Sequence, residues 1–387
     1  MGQGYRQRPE PREQAGAEIS NQTRWVLAAA MAAALLPAAA FPTAGSGGGP
    51  VSESSRPESP QPEPGTTAPD PAPAAPRRVS VTVALSGDVL VHDTVWQSAR
   101  RSARRAQAGA RFDFAPMLAS LRPVISGADL AICHLETPVA PASGPYTSYP
   151  LFSVPREVVR GLADTGYDAC STASNHSVDR GFDGVVRTIA ALDRAGLAHT
   201  GTSSSRSAAH DIVMLEVQGI RIGWLSYTYG TNGMPVDVDK PWSVNRIHPE
   251  RILRDARRAR AQGADAVLVA LHWGDEYSHE PSGFQVSLAR RLTRSPAITM
   301  LYGHHAHVTQ PIRKVNGKWV VYGLGNLVAD QETVAEGVDD GLVAVVTLSK
   351  TGDARARVTG IDTVRTHIQR DAPPNGELRV RVSRQRE

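Results

Sequence analysis

The sequence predicts an α/β fold, one large domain with antiparallel hairpins added to mixed sheets, and three features predict it. From about Arg78 to about Gln369, short apolar runs alternate with helical patterns, the rhythm of layered α/β folds. Two pairs of runs are joined at Gln218-Gly219 and Asn316-Gly317, which read as hairpin turns. Oxygen- and nitrogen-bearing side chains recur just past the apolar runs, where α/β sheets bind ligands at the carboxyl ends of their strands.

Taken in order, VSVTVALS (79–86) reads as a strand from its β-branched alternation, and APMLASLRPVIS (115–126) as a helix. DLAICHL (129–135) is a strand, REVVRGLADTG (156–166) a helix, and YDACSTA (167–173) a strand. GVVRTIAALDRAG (184–196) is an amphipathic helix ended by Gly196, with AHTGT (198–202) a short strand after it. DIVMLEVQGIRIGWLSYT (211–228) forms the first hairpin. A helix at 248–262 leads into the strand DAVLVAL (265–271), and a helix at 284–294 leads into AITMLY (297–302). KVNGKWVVYGLGNLV (314–328) forms the second hairpin, and an antiparallel pair within LVAVVTLSKTGDARARVTGI (342–361) closes the domain.

Composition divides the 387 residues further. Residues 1–24 are a polar segment, and residues 25–41, WVLAAAMAAALLPAAAF, are uncharged and apolar behind Arg24. That run suits the h-region of an export signal. Small residues at 38–40 favour cleavage and Pro42 disfavours it, so a released protein and a signal-anchored one both stay open, each extracytoplasmic. Residues 42–78 concentrate Pro, Gly and Ser and read as a disordered linker. The folded domain is placed at 79–370 and a C-terminal tail at 371–387. Two cysteines, Cys133 and Cys170, give no disulfide framework and read as buried small hydrophobes. The net charge of +4 is mild. With no zinc-finger spacing, no aromatic-interleaved basic platform and no Walker or dinucleotide glycine pattern, nucleic acid and nucleotide partners are disfavoured.

The residues after the strands carry the function. Asp88 follows VTVALSG, Glu136 follows LAICHL, Asn175 and His176 follow ACSTAS, His272 follows AVLVAL, His305 and His307 follow ITMLYG with His304, and Asn326 follows VVYGLG. Carboxylates, imidazoles and carboxamides are ligands of divalent metals. One such residue has a bland explanation in helix capping or packing; six strand ends with the same chemistry do not. The set exceeds the roughly four ligands of one tetrahedral ion. It suits a two-metal centre with ions about 3.5–4 Å apart.

Together and in this order, SGDVLVHD (86–93), HLETPVA (134–140), SNHSVDRGFDGV (174–185), LHWGDEY (271–277), GHHAHVTQPI (303–312) and YGLGNLV (322–328) resemble the CapA, or poly-γ-glutamate capsule biosynthesis, family. That family belongs to the calcineurin-like metallophosphoesterase superfamily. The resemblance runs from about Val79 to Val328 and implies a four-layer αββα sandwich holding two divalent metal ions, Mn, Fe or Zn, at the sheet edge. It implies that Asp88 and His307 serve the first ion, His272 and His305 the second, that Asn175 is an amide ligand, and that Glu136 bridges the two ions. His176 becomes the group that protonates the leaving group or steadies the transition state, Asp179 orients it or a substrate group, and His304 is left with a structural role.

Two positions depart from the pattern. Leu90 stands where the superfamily commonly has the histidine of Asp-x-His, leaving the first ion one imidazole short unless His92 compensates. His134 stands where the family usually has Asn; it shares a strand face with Glu136, as an extra ligand or a ligand's partner. The resemblance implies an exported hydrolase or transferase acting on poly-γ-glutamate, a similar anionic envelope polymer or its precursor. The alternative is a non-catalytic accessory subunit beside membrane synthase subunits, held to the membrane by its N-terminal segment. A secreted ligand-binding module is a third reading.

Overall fold

The computed structural model describes residues 76–107, 109–331, 335–371 and 376–383. The expected segments 1–24 and 25–41 and nearly all of the linker lie outside the described residues. The chain divides into two units, Met1–Pro71 and Ala72–Glu387, and the second carries the fold below. Among the described residues no helix is long and apolar enough to cross a membrane.

The larger sheet has eight strands. β1 (Arg78–Val89), β2 (Leu130–Leu135), β3 (Ala169–Ser171) and β4 (Ala198–Thr200) run parallel. A short β11 (Asn326–Val328) pairs in parallel with the end of β1. Antiparallel β12 (Asp340–Thr351), β13 (Arg357–Arg370) and β14 (Leu378–Ser383) extend the other edge. The smaller sheet has six strands in the order β5 (Val213–Val217), β6 (Ile220–Thr228), β7 (Ala266–His272), β8 (Met300–His304), β10 (Lys318–Val321) and β9 (Ile312–Val315), with both expected hairpins present. Its central β6, β7 and β8 are parallel.

Period-two patterning sorts the side chains into layers. From β7, Ala266, Leu268 and Ala270 join Val83, Leu85, Ile132, Trp224 and Tyr302 in a core between the sheets. Val267, Val269 and Leu271 face outward instead. There they meet Ile252 and Ala256 of α6 (Pro249–Ala261) and Leu288 and Leu292 of α7 (Gly283–Thr293). On the far face of the larger sheet, Ala84, Ala131 and Cys133 pack against α1 (Asp93–Ala106), α2 (Ala115–Leu118), α3 (Arg122–Ile125), α4 (Glu157–Thr165) and α5 (Gly181–Ala195). The four-layer αββα sandwich is therefore present. Local sequence sets the helix ends: Ser282 and Gln285 form a capping box on α7, and Gly196 closes α5 in the left-handed conformation.

Three expectations are corrected. The single helix expected over 115–126 is α2, a 3-10 turn and α3, because Pro123 has no N–H to continue the ladder and the Ala119 carbonyl takes the Arg122 N–H instead. The tail expected at 371–387 contains β14, which pairs with β13 from Arg365 opposite Ser383 to Arg370 opposite Leu378, so the folded region extends to at least Ser383. Cys133 and Cys170 are buried but not separate: they are direct neighbours on β2 and β3, 4.4 Å apart at Cα, and form a disulfide. A sequence separation of 37 residues hides a register that only strand pairing reveals.

Two close approaches press the strand ends together. A Cβ at Gly87 would lie 2.2 Å from the Gly325 carbonyl oxygen, and one at Gly303 would lie 1.9 Å from that of Tyr322. Glycine at both places lets β11 and the end of β10 close on the residues that carry Asp88 and His304.

Candidate metal centre

Every strand end singled out above meets at one edge of the sandwich. Asp88 lies near the end of β1, opposite Asn326 of β11. Glu136 follows β2, Asn175 and His176 occupy the turn after β3, His272 ends β7, and His304 ends β8. The chain then turns through His305 at φ 89° and His307 at φ 57°. Left-handed backbone at two non-glycine residues is uncommon and concentrates at functional sites. Here it follows the end of β8 and keeps both imidazoles buried beside Glu136.

Glu136 is the centre of the cluster. Its Oε1 lies 3.7 Å from His272 Nε2 and 3.8 Å from His307 Nε2, and His272 Nε2 lies 2.8 Å from Asn175 Oδ1. Ligands bonded at about 2.0–2.2 Å to one ion are separated by roughly 3.0–3.6 Å, and these spacings bracket that range within about 0.2 Å. Glu136 is 1% exposed, and neither of its oxygens has a hydrogen-bond partner; His305 Nδ1 is likewise buried and unpartnered. A buried carboxylate without donors is costly. The residues present therefore fit a divalent metal site formed by Glu136, His305 and His307, with His272 and Asn175 adjoining.

The charges agree with that reading. Burial, reinforced by Asp88, Glu276 and Asp179, pushes the Glu136 carboxyl well above its usual range against the opposing pull of His307. Burial would lower His307, but Glu136 and Asp88 raise it to about 9. His305 falls to about 3 through burial and the charge of His307. His272 is held well below its ordinary value by burial, His305 and His134. A divalent cation satisfies both kinds of misfit, because it favours ionised carboxylate and neutral imidazole together.

A second buried group, Asp88, His134 and His304, sits behind the first. It is poorly shaped for an ion of its own. The His134 and His304 rings stack at 4.0 Å and 17°, which keeps their lone pairs in nearly parallel planes. Both His134 nitrogens are engaged, with Ser171 Oγ at 2.9 Å and His272 Nδ1 at 3.0 Å. Asp88 accepts from His304 Nδ1 at 2.7 Å and from the His305 backbone N–H at 3.0 Å, with His307 Nδ1 at 3.4 Å. Burial works to raise Asp88, yet these imidazoles hold it well below the usual carboxylate range. His304, left over in the sequence pattern, is thus the direct partner of Asp88.

Asn326 completes the surroundings of His307. Its amide nitrogen donates to Val338 O at 2.9 Å and Gln331 Oε1 at 2.8 Å, so its oxygen faces His307 Nδ1 at 2.9 Å. Leu90 is buried in the helix-side core. His92, the suggested substitute, turns Nδ1 to the Leu90 carbonyl and the Asp330 amide.

His176 and Asp179 lie beside the cluster. Nδ1 of His176 is 2.7 Å from Asp179 Oδ2, which also accepts from the Phe152 amide at 2.8 Å, and the Phe152 ring stands edge-on to His176 at 4.8 Å. Sequence reasoning missed the rim. Tyr229 packs 4.6 Å from His305, Tyr277 lies 6.2 Å from His307, and Glu276 Oε1 comes within 3.9 Å of His305 Nδ1. Their signal was the LHWGDEY stretch, which holds Glu276 and Tyr277; nothing local marks Tyr229.

The family model described as "Bacterial capsule synthesis protein PGA_cap" matches residues 82–331. The chain is 32% identical over 209 residues to the PGA biosynthesis protein CapA of Bacillus subtilis (strain 168), covering 54% of each chain. It is 27% identical over 224 residues to a protein of Mycobacterium tuberculosis named "Probable polyglutamine synthesis accessory protein", covering 53% of this chain and 57% of that one. The chain thus spans about half the length of the curated relatives it matches. Among solved structures it is similar to a phosphatase from Mycoplasma pneumoniae, with a TM-score of 0.45 and 15% identity over 77% of this chain and 97% of that one.

Proposed function

Because this chain belongs to the bacterial capsule synthesis protein family, we propose that it is an exported, metal-dependent hydrolase or transferase. Its substrate would be poly-γ-glutamate or a similar anionic envelope polymer during synthesis, anchoring or turnover. The carrying observation is Glu136, a fully buried carboxylate with both oxygens unpartnered among three imidazoles and a carboxamide. The names of the relatives support the polymer, and the buried disulfide supports export, since disulfides persist in oxidising compartments.

In this reading Glu136, Asn175, His272 and His305 would hold one ion, and Glu136, His307 and Asp88 would hold a second. Such ions supply Lewis acidity and lower the pKa of an attacking water. The chain does the rest. Asp179 fixes His176 through Nδ1 and leaves Nε2 to deliver a proton to the departing group. Phe152 packs edge-on against His176 and keeps that face of the ring dry. Tyr229 and Tyr277 remain partly exposed at the mouth, where they can lie along a polymer chain.

A second reading is favoured by the "accessory protein" wording of the mycobacterial relative: a non-catalytic subunit that binds metal and serves a membrane polymer synthase. Incubating the purified full chain and manganese with γ-glutamyl peptides and with generic phosphodiesters separates the two. Turnover supports the enzyme; stoichiometric metal without turnover supports the accessory subunit.

A further inference from the structure

We infer that His134 is a positioning residue that fixes the tautomer in which His272 can bind an ion. The inference rests on the proposed metal reading of His272. Its substance is a buried relay: the Cys133 carbonyl, Ser171 Oγ at 3.3 Å from it, His134 Nδ1 at 2.9 Å from Ser171, and His134 Nε2 at 3.0 Å from His272 Nδ1. Ser171 and His134 are 0% exposed and His272 1%, so solvent does not substitute for any partner.

Each link has one hydrogen, so the whole relay has a direction. The Cys133 carbonyl can only accept, and it takes the Ser171 hydroxyl hydrogen. Ser171 Oγ then accepts from His134 Nδ1–H. A neutral His134 has a bare Nε2, which accepts from His272 Nδ1–H. That leaves His272 Nε2 bare, and it is this atom that lies 2.8 Å from Asn175 Oδ1 and 3.7 Å from Glu136 Oε1. Two acceptors 2.8 Å apart are at ease only around a cation. In the opposite polarity Ser171 donates to His134 Nδ1, every hydrogen shifts one place, and His272 presents Nε2–H to Asn175, closing the site to metal. The Cys133 carbonyl, 3.3 Å from Ser171 Oγ, gives the serine hydrogen a place to go in the open polarity, and an ion at His272 Nε2 then tips the relay that way, because without one the 2.8 Å contact with Asn175 Oδ1 favours Nε2–H.

The stacked His304 ring holds His134 in its plane at 4.0 Å. Ligand histidines ordinarily give their outer N–H to a carboxylate, carbonyl or water. Here a second imidazole, held by a serine, takes that place.

The test uses the purified full chain stripped of metal, zinc as the probe, and two readouts: zinc affinity by calorimetry and the histidine tautomers by ¹⁵N NMR. In the zinc-bound wild type, His272 should be protonated at Nδ1 and His134 at Nδ1 alone. His134→Leu should weaken zinc binding about tenfold to a hundredfold, and His134→Gln, whose side-chain oxygen can accept from His272 Nδ1–H, should recover most of it. Ser171→Ala should weaken binding severalfold by freeing His134 to take the opposite polarity. Wild-type affinity in a folded His134→Leu chain, or a zinc-bound His272 protonated at Nε2, overturns the inference while leaving the metal reading intact. If His134→Leu does not fold, the wild-type tautomer decides alone. A wild-type chain that binds no zinc removes the metal reading and the inference with it.

Discussion

His176 Nδ1 lies 2.7 Å from Asp179 Oδ2, and the same carboxylate oxygen is held at 2.8 Å by the Phe152 amide. The side-chain pair is therefore anchored to the loop before it. His176→Ala should reduce turnover by about 10²–10⁴-fold, the usual contribution of a general acid, with metal content unchanged by elemental analysis. Loss of metal together with activity would make His176 a ligand instead.

Glu136 illustrates the tension between site and stability. Its two oxygens have no donors, and burial resists its ionisation. Glu136→Gln should lower metal affinity at least about tenfold while leaving the metal-free chain above about pH 9, where His307 no longer carries the proton that Glu136 favours, as stable as wild type or more so, since it removes a buried carboxyl whose oxygens lack hydrogen-bond donors. Parallel thermal melts with and without added manganese check both halves. A metal-free variant that melts far below wild type would contradict this.

The pH dependence follows from His307. Its pKa in the metal-free fold is raised to about 9 by Glu136 and Asp88, above the ordinary value near 6.5 of an unfolded chain. The folded state therefore binds the extra proton more tightly. This stabilises the metal-free protein fully below about pH 6.5, and the gain is lost as pH rises through about 9. Metal must displace the same proton, so metal affinity should climb over that window as apo stability falls. Calorimetry in buffers of different ionisation enthalpy should record net proton release at pH 7.

The disulfide should matter to stability and little to chemistry, because Cys133 and Cys170 face the helix layer. Closing a loop of 37 residues is worth about 4 kcal/mol in the chain-entropy account. Cys133→Ser with Cys170→Ser, or wild type under dithiothreitol, should unfold at markedly lower denaturant with its metal stoichiometry retained. An unchanged midpoint would mean that the bond does not form in solution.

What the sequence made legible was periodic or positional. The apolar run AVLVAL marked β7, and polar residues after apolar runs picked out Asp88, Glu136, Asn175, His272, His305 and His307 as candidates for one edge. What it hid depends on register and on which ring nitrogen faces which neighbour. His304 looked superfluous until β8 placed it against Asp88, and Asn326 gained its meaning from an amide fixed by Val338 and Gln331. The Cys133–Cys170 pairing and β14 depend on which strands lie side by side. Tyr229 belongs to the rim only because β6 is parallel to β7, which ends its run beside His272.

Anomalous diffraction at the manganese edge, from crystals of the full chain grown with that ion, tests the central claim most directly. Two peaks about 3.5–4 Å apart, both within bonding distance of Glu136 and flanked by His272, His305 and His307, are the predicted result. Diffraction that shows no peak at Glu136, with its carboxyl instead hydrogen-bonded to protein or water, would contradict it.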